Sequence, residues 1–279
     1  MKKIYFSGIL FTFLFLLYNF LVNLDKKPIF IKKQTILEKN IKEDESKEKL
    51  EKSIERINSR NKKIKSIIAE GIRIKVNQKT SVNVFGNLSM EKQKNFRLKI
   101  WHSMTGIEMD IGSNEEIFWF WSKRMTPPAL YFAKHENTNK TMLKAPLNPM
   151  WIMQSLGLNS IDLKNKEFKK IEDNWAIVEK SISSTGDLVK IAILIDVNKD
   201  LILGNYLYDK NFKLIASSEI KNYTIDSKTN SLVPKDILII WYDENISMEC
   251  KFSKIQTNLS IKEQNWEKPF VKNSLEIGN

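Results

Sequence analysis

The chain has 279 residues, a net charge of +12 and a single cysteine. That length suffices to bury a large core. A lone Cys250 excludes an internal disulfide and argues against a cysteine-built zinc site. The charge is uneven: residues 1–65 hold 16 Lys and Arg against 8 Asp and Glu, whereas residues 66–279 hold 29 against 25. The larger part is only mildly basic, which argues against a nucleic-acid-binding surface.

The chain begins with an apolar element. Residues 4–24 follow Lys2 and Lys3 and contain no charged side chain. A cleaved signal peptide usually has an apolar stretch of about 7–15 residues followed by small residues. Here Asn19, Asn23 and Asp25 occupy the region where a cleavage motif would fall. Roughly 20 apolar residues span a bilayer. The expectation is an uncleaved signal anchor over residues 1–24, with a cleaved periplasmic form as the alternative. A tether, 25–44, then carries Lys26, Lys27, Lys32 and Lys33, which suit anionic head groups. A count of positive charge alone would leave the rest of the chain in the cytoplasm. Lys-Lys before an apolar run normally directs export, so the reading adopted is a domain facing the periplasm from the inner membrane of a bacterial envelope.

Within residues 43–68, Leu50, Ile54, Ile57, Ile64 and Ile68 recur at helical spacing and predict a helix with a narrow apolar stripe. Beyond it the pattern becomes strand-like. Strands are expected over 70–76, 81–91, 95–102, 106–112, 116–122, 129–134, 174–183, 187–196, 201–208, 213–226, 235–243 and 245–257. Through 81–122 the alternation is clearest: Val82, Val84, Leu88 and Met90 share one parity, then Phe96, Leu98 and Ile100, then Ile107, Met109 and Ile111. Arg97, Lys99, Glu108 and Asp110 take the opposite parity. Period-2 alternation with short turns predicts a curved antiparallel sheet with one apolar face. Trp119 and Trp121 interleave with Phe118 and Phe120, so that strand is aromatic on both faces. With few basic neighbours, packing explains them better than base stacking. Residues 187–196 also read as covered on both faces, with Ala192 and Leu194 opposing Val189, Ile191, Ile193 and Ile195.

One segment breaks the strand pattern. Asn148 and Pro149 form a helix start, Gly157 a helix stop, and Met150, Trp151, Met153, Leu156 and Leu158 make the turns between them apolar. This short helix reads as a plug or lid over the concave face of the sheet, or equally as an ordinary core helix.

Catalytic signatures are missing from the sequence. His102 and His135 have no metal-ligand spacing, and no nucleophile elbow or phosphate-cradling glycine loop occurs. Glu115 with Glu116 and Asp243 with Glu244 are better read as solvated turns than as acid–base pairs. No catalytic residue, metal or cofactor is expected.

The order of motifs resembles a known family. Gly86, Leu88 and Met90 form G-x-L-x-M; N-F-R-L follows at 95–98, D-I-G-S-N at 110–114, F-W-F-W at 118–121, then the proline-flanked helix, and N-W-E-K-P at 265–269. This ordered set resembles the LolA/LolB-like superfamily of periplasmic lipoprotein carriers and outer-membrane lipoprotein receptors, in its sorting-protein-like branch, over roughly residues 50–272. The resemblance implies a mainly β fold, an incomplete antiparallel β-barrel of about eleven strands with short lid helices, occupying 45–279. It implies a hydrophobic cavity walled by Leu88, Met90, Phe96, Leu98, Ile100, Met109, Phe118 and Phe120 and closed by Met150, Trp151 and Met153. The expected function is non-enzymatic binding of lipid or lipoprotein acyl chains. The alternative is a membrane-anchored envelope-assembly protein whose packed barrel binds a protein partner.

The anchor reading makes a direct prediction. Carbonate washing should leave the protein in the membrane pellet with its first residues intact; a soluble form beginning near residue 25 would contradict it.

Overall fold

The computed structural model describes residues 44–91, 95–123, 129–140, 149–182 and 187–277. The expected anchor and nearly all of the tether lie outside these residues, as do the Asn148 cap and the turn at 184–186. Among the described residues no helix is long and apolar enough to cross a membrane.

Helix α1 (Asp44–Lys62) leads into β1 (Ser66–Asn77), β2 (Ser81–Glu91), β3 (Asn95–His102), β4 (Gly106–Ser113), β5 (Ile117–Ser122) and β6 (Leu130–Lys134). Helix α2 (Pro149–Ser155) separates these from β7 (Glu167–Ile171), β8 (Asn174–Ile182), β9 (Leu188–Asp196), β10 (Leu201–Tyr208), β11 (Leu214–Ile225), β12 (Leu232–Trp241) and β13 (Ile246–Lys251). The chain ends with β14 (Lys254–Thr257), a 3₁₀ turn (Glu263–Trp266) and β15 (Ser274–Glu276). Among the described residues, fifteen strands join one open sheet: fourteen in the order β15-β6-β5-β4-β3-β2-β1-β13-β12-β11-β10-β9-β8-β7, with β14 paired to β1 off this path and β15 parallel to β6. Two antiparallel meanders, β1 to β6 and β7 to β13, meet where β1 pairs with β13.

The sheet is mainly β and incomplete, as expected, but it has more strands than eleven. β7 and β15 carry little periodic signal, and the long run expected at 245–257 divides into β13 and β14 at Phe252 and Ser253. That division faces a bulge in β1, where Gly71 takes a φ of +62° and the register with β2 shifts between Ala69 and Ile72. The bulge keeps Ile67 and Ala69 on the same face as Ile72 and Ile74 although their parity differs. Helix α1 ends at Lys62, short of the expected residue 68. Residues 66–69 serve the sheet instead, with Ile67 opposite Met90 and Ala69 opposite Leu88.

Pairing builds the apolar face as ladders. One runs Ala69, Leu88, Leu98, Ile111, Phe120, Tyr131 across six strands. Another runs Ile74, Cys250, Ile237 across the seam between the meanders. Gly86 lies on this face because a Cβ there would stand 2.8 Å from the Ile74 Cδ1. Cys250 is buried in this core, and burial pushes its thiol up to about 12, so it stays protonated at neutral pH.

The opposite face of β3 to β5 is also buried, around a polar knot. Arg97 Nη2 and Nε donate to the Asp110 carboxylate at 2.8 and 3.2 Å, and Trp119 Nε1 donates to the same carboxylate at 3.0 Å. The Trp119 ring lies against Gly112, where a Cβ would come within 2.0 Å of it. Arg97 Nη1 donates to the Asn265 carbonyl, and Asn114 Nδ2 to that of Trp266, which fixes the C-terminal segment on this face. The four motifs N-F-R-L, D-I-G-S-N, F-W-F-W and N-W-E-K-P therefore converge on one structural knot.

Burial sets the energy of this ion pair. Asp110→Ala strands the Arg97 guanidinium, only 8% exposed, and is expected to cost about 3–5 kcal/mol. The pair of Arg56 with Asp200 is also two-pronged, at 2.6 and 2.8 Å, but lies at the surface. Arg56→Ala should cost far less. Urea denaturation of both variants checks this; equal losses would contradict the burial argument.

Candidate functional site: the concave face and its plug

The concave face curves around α2. The helix contacts β10 on one meander and β4 on the other. Trp151, Ile152, Met153, Leu156 and Leu158 join one core cluster with Ile67, Leu88, Met90, Phe96, Leu98, Ile100, Met109, Ile111 and Phe120. Of the eight expected wall residues, seven belong to the same core cluster as the helix. Phe118 is buried a rung away, packed with Ala133 and Ile277. Met150 belongs to α2, but its side chain lies outside the described ones. The helix is buried around most of its circumference: even Ser155 is 1% exposed, its hydroxyl donating to the Trp151 carbonyl at 2.8 Å. It therefore fills the half-barrel as a plug rather than resting on the rim.

The C-terminal end of the plug is fastened by polar contacts. Asn205 Nδ2, from β10, donates to the Gln154 carbonyl at 3.0 Å. Gly157 takes a φ of +65°, and a Cβ there would stand 2.6 Å from Ile220 Cδ1. The positive φ selects glycine here, and any Cβ would also push the Ile220 side chain aside. Helix α1 secures the following residues. Asn61 Nδ2 donates to the Gly157 and Asn159 carbonyls at 3.2 Å. The Asn58 amide pairs with both the N–H and the carbonyl of Ile161 at 2.8 Å. Leu50, Ile54 and Ile57 of α1 cover Trp175, Ile177 and Ile195 at this end of the concave face.

Between plug and sheet lies a cavity of about 160 Å³. Its floor is Ile177, Ile191, Ile193 and Ile202. Its polar rim includes Asp162 and the ion-paired Lys166 and Glu179. This is the size of a space that takes one benzene-sized group, well below the 300 Å³ or so where drug-sized ligand sites begin. It lies against β8 to β10, away from the expected wall on β2 to β5. The sequence did carry a signal for it, the isoleucines alternating along 187–196. What alternation could not show is which chain segment covers them.

Among the described residues no group of His, Cys, Asp and Glu is placed to hold a metal ion. His135 Nε2 sits 2.8 Å from the Asn114 carbonyl and 3.3 Å from Ser113 Oγ, bound into a turn.

An open half-barrel, antiparallel apart from the β15–β6 pair, wrapped around a short apolar helix is a LolA-like fold. Three solved structures share it. A DUF1329 family protein from Desulfovibrio piger aligns with a TM-score of 0.53 at 8% identity, covering 77% of this chain and 95% of that one. A putative outer membrane lipoprotein-sorting protein domain from Vibrio parahaemolyticus aligns at 0.52 and 13%, covering 77% and 96%. A LolA superfamily protein from Nitrosomonas europaea aligns at 0.50 and 10%, covering 77% and 97%. No family model matches the chain, and no curated protein does.

The Gly157 contact supplies a test of the plug's seating. Gly157→Ala should cost about 1–3 kcal/mol, since it forces a strained backbone and displaces Ile220. Urea denaturation reads the loss; an unchanged midpoint would mean that the plug is not held against the sheet at this point.

Proposed function

We propose that this chain is a non-enzymatic envelope protein that binds acyl chains of lipids or lipoproteins. In this reading the ligand lies along the concave face, against Leu88, Met90, Phe96, Leu98, Ile100, Met109, Phe118 and Phe120. Trp151 and Met153, with Met150, yield to admit it. The observation that carries the reading is the composition of the contact between plug and sheet. It is apolar along both meanders, and its helix side carries Trp151 and Met153 beside Ile152, Leu156 and Leu158, of which methionine repacks most easily. The likeness to a lipoprotein-sorting domain and a LolA superfamily protein supports the same class of ligand. The domain is proposed to face the periplasm, held at the inner membrane by residues 4–24.

The cavity volume sets the mechanism. A chain of about 14–16 carbons does not fit 160 Å³, so α2 must move outward for binding. Each buried CH₂ contributes about 0.8 kcal/mol, which offsets the loss of plug contacts and of ligand freedom. A ligand shifts the plug only by binding the open form more tightly than the closed one.

The small cavity also favours a second reading. If the plug never leaves, the domain is a packed scaffold that binds a protein partner at its surface. Native mass spectrometry of the protein from membranes separates the two: co-purified acyl mass supports the carrier, a clean apo mass the scaffold. A tether sharpens the test. With Gln154→Cys and Asn205→Cys joined as a disulfide, uptake of a fluorescent fatty acid should stop and return on reduction. Equal uptake by the tethered and reduced forms would contradict plug movement.

A further inference from the structure

The concave face holds polar groups that a purely hydrocarbon ligand would leave unused. Trp151 Nε1, Trp241 Nε1 and Ser218 Oγ are buried with no hydrogen-bond partner among the described residues. The residues are 5%, 8% and 0% exposed. A buried donor without an acceptor is destabilising, and these three lie in or directly beside the core cluster that joins plug and sheet.

Their placement is shared. Ser218 lies between Ala216 and Ile220 on β11, and both neighbours of like parity belong to the main core. Its partner across the ladder is Ile239 on β12, and Trp241 follows two residues on, on the same face and opposite Ala216. On its other side Ser218 pairs with Asn205, which lines the cavity and holds the end of α2. Trp151 belongs to α2 itself and packs into the cluster that contains Trp241. One indole N–H donor thus stands on the plug, and a second, with a hydroxyl, on the sheet face that the plug covers; of the three, Ser218 is the neighbour of cavity-lining Asn205.

We propose that these groups read the carbonyl of an ester- or amide-linked acyl chain. An indole N–H can only donate, so the ligand atom that meets it is an acceptor. An acyl chain supplies one acceptor at a fixed place, the carbonyl oxygen at its head. Simple hydrocarbon supplies none, and an alkyl ether oxygen is a much poorer acceptor. The site therefore selects acyl over alkyl chains, and the carbonyl marks how deep the chain sits. This inference rests on the acyl-binding reading above and narrows its ligand class.

The test compares two lysophospholipids of equal chain length and head group, one with an acyl ester and one with an alkyl ether. Binding is read by displacement of a fluorescent fatty acid from the full-length protein. The wild type should prefer the ester at least tenfold. Trp151→Phe and Trp241→Phe keep the apolar ring and lose the donor. Each should bring the ratio toward one, with ester affinity falling more than ether affinity. Equal binding of ester and ether by the wild type would overturn the carbonyl assignment while leaving the lipid-binding function intact; this arm needs no variant to fold. Displacement by neither lipid would overturn both. A triacylated lipopeptide and a diacyl phospholipid, run as further competitors, assign the carbonyl to a lipoprotein or to a membrane lipid. Displacement by either, together with the ester preference, supports the proposal.

Discussion

A broad sheet with one apolar face cannot present that face to water, and the rest of this structure follows from how the face is covered. The ladders that cross β1 to β6 place large aliphatic and aromatic side chains in register over six strands. The seam between β1 and β13 carries the same face into the second meander. Curvature brings the two halves around a common interior. Helix α1 closes one end, and α2 fills the middle. Without α2, the buried side chains on β4 and β10 would face one another across open space.

The two faces of the sheet are secured by different physics. On the convex side Arg97, Asp110 and Trp119 satisfy one another, and their hydrogen bonds with the C-terminal segment fix geometry. Such a network is costly to break and leaves little freedom. On the concave side the contact is apolar, few hydrogen bonds hold the plug directly to the sheet, and polar groups remain unpaired. Apolar contacts are non-directional and can be exchanged for others of similar area. Stability thus resides on one face, and the capacity to rearrange on the other.

Much of this was legible in the sequence. Period-2 alternation placed Leu88, Leu98 and Ile111 on one face before any pairing was known, and the asparagine, proline and glycine around α2 marked a helix amid strands. The Phe–Trp alternation at 118–121 marked a strand aromatic on both faces, and the structure buries Phe118, Trp119 and Phe120. Other features were hidden for physical reasons. Arg97 and Asp110 read only as the parity opposite the apolar face, because a charge pattern alone cannot reveal that Trp119 and the 3₁₀ turn will cover them. Ile64 and Ile68 fit a helical stripe as well as a strand, and only the pairing of residues 67–69 with β2 decided between them. The short strands β7 and β15 depend on neighbours already in place. The depth of the plug and the small volume beneath it are tertiary properties that no local pattern encodes.

The central claim is that α2 leaves the concave face when an acyl chain enters. Amide hydrogen exchange over residues 151–158, with and without a lysophospholipid, tests it most directly. The account predicts that ligand speeds exchange in this helix while the amides of β3 and β4 keep their protection. Unchanged or slower exchange in the helix, with lysophospholipid shown to be bound, would contradict it.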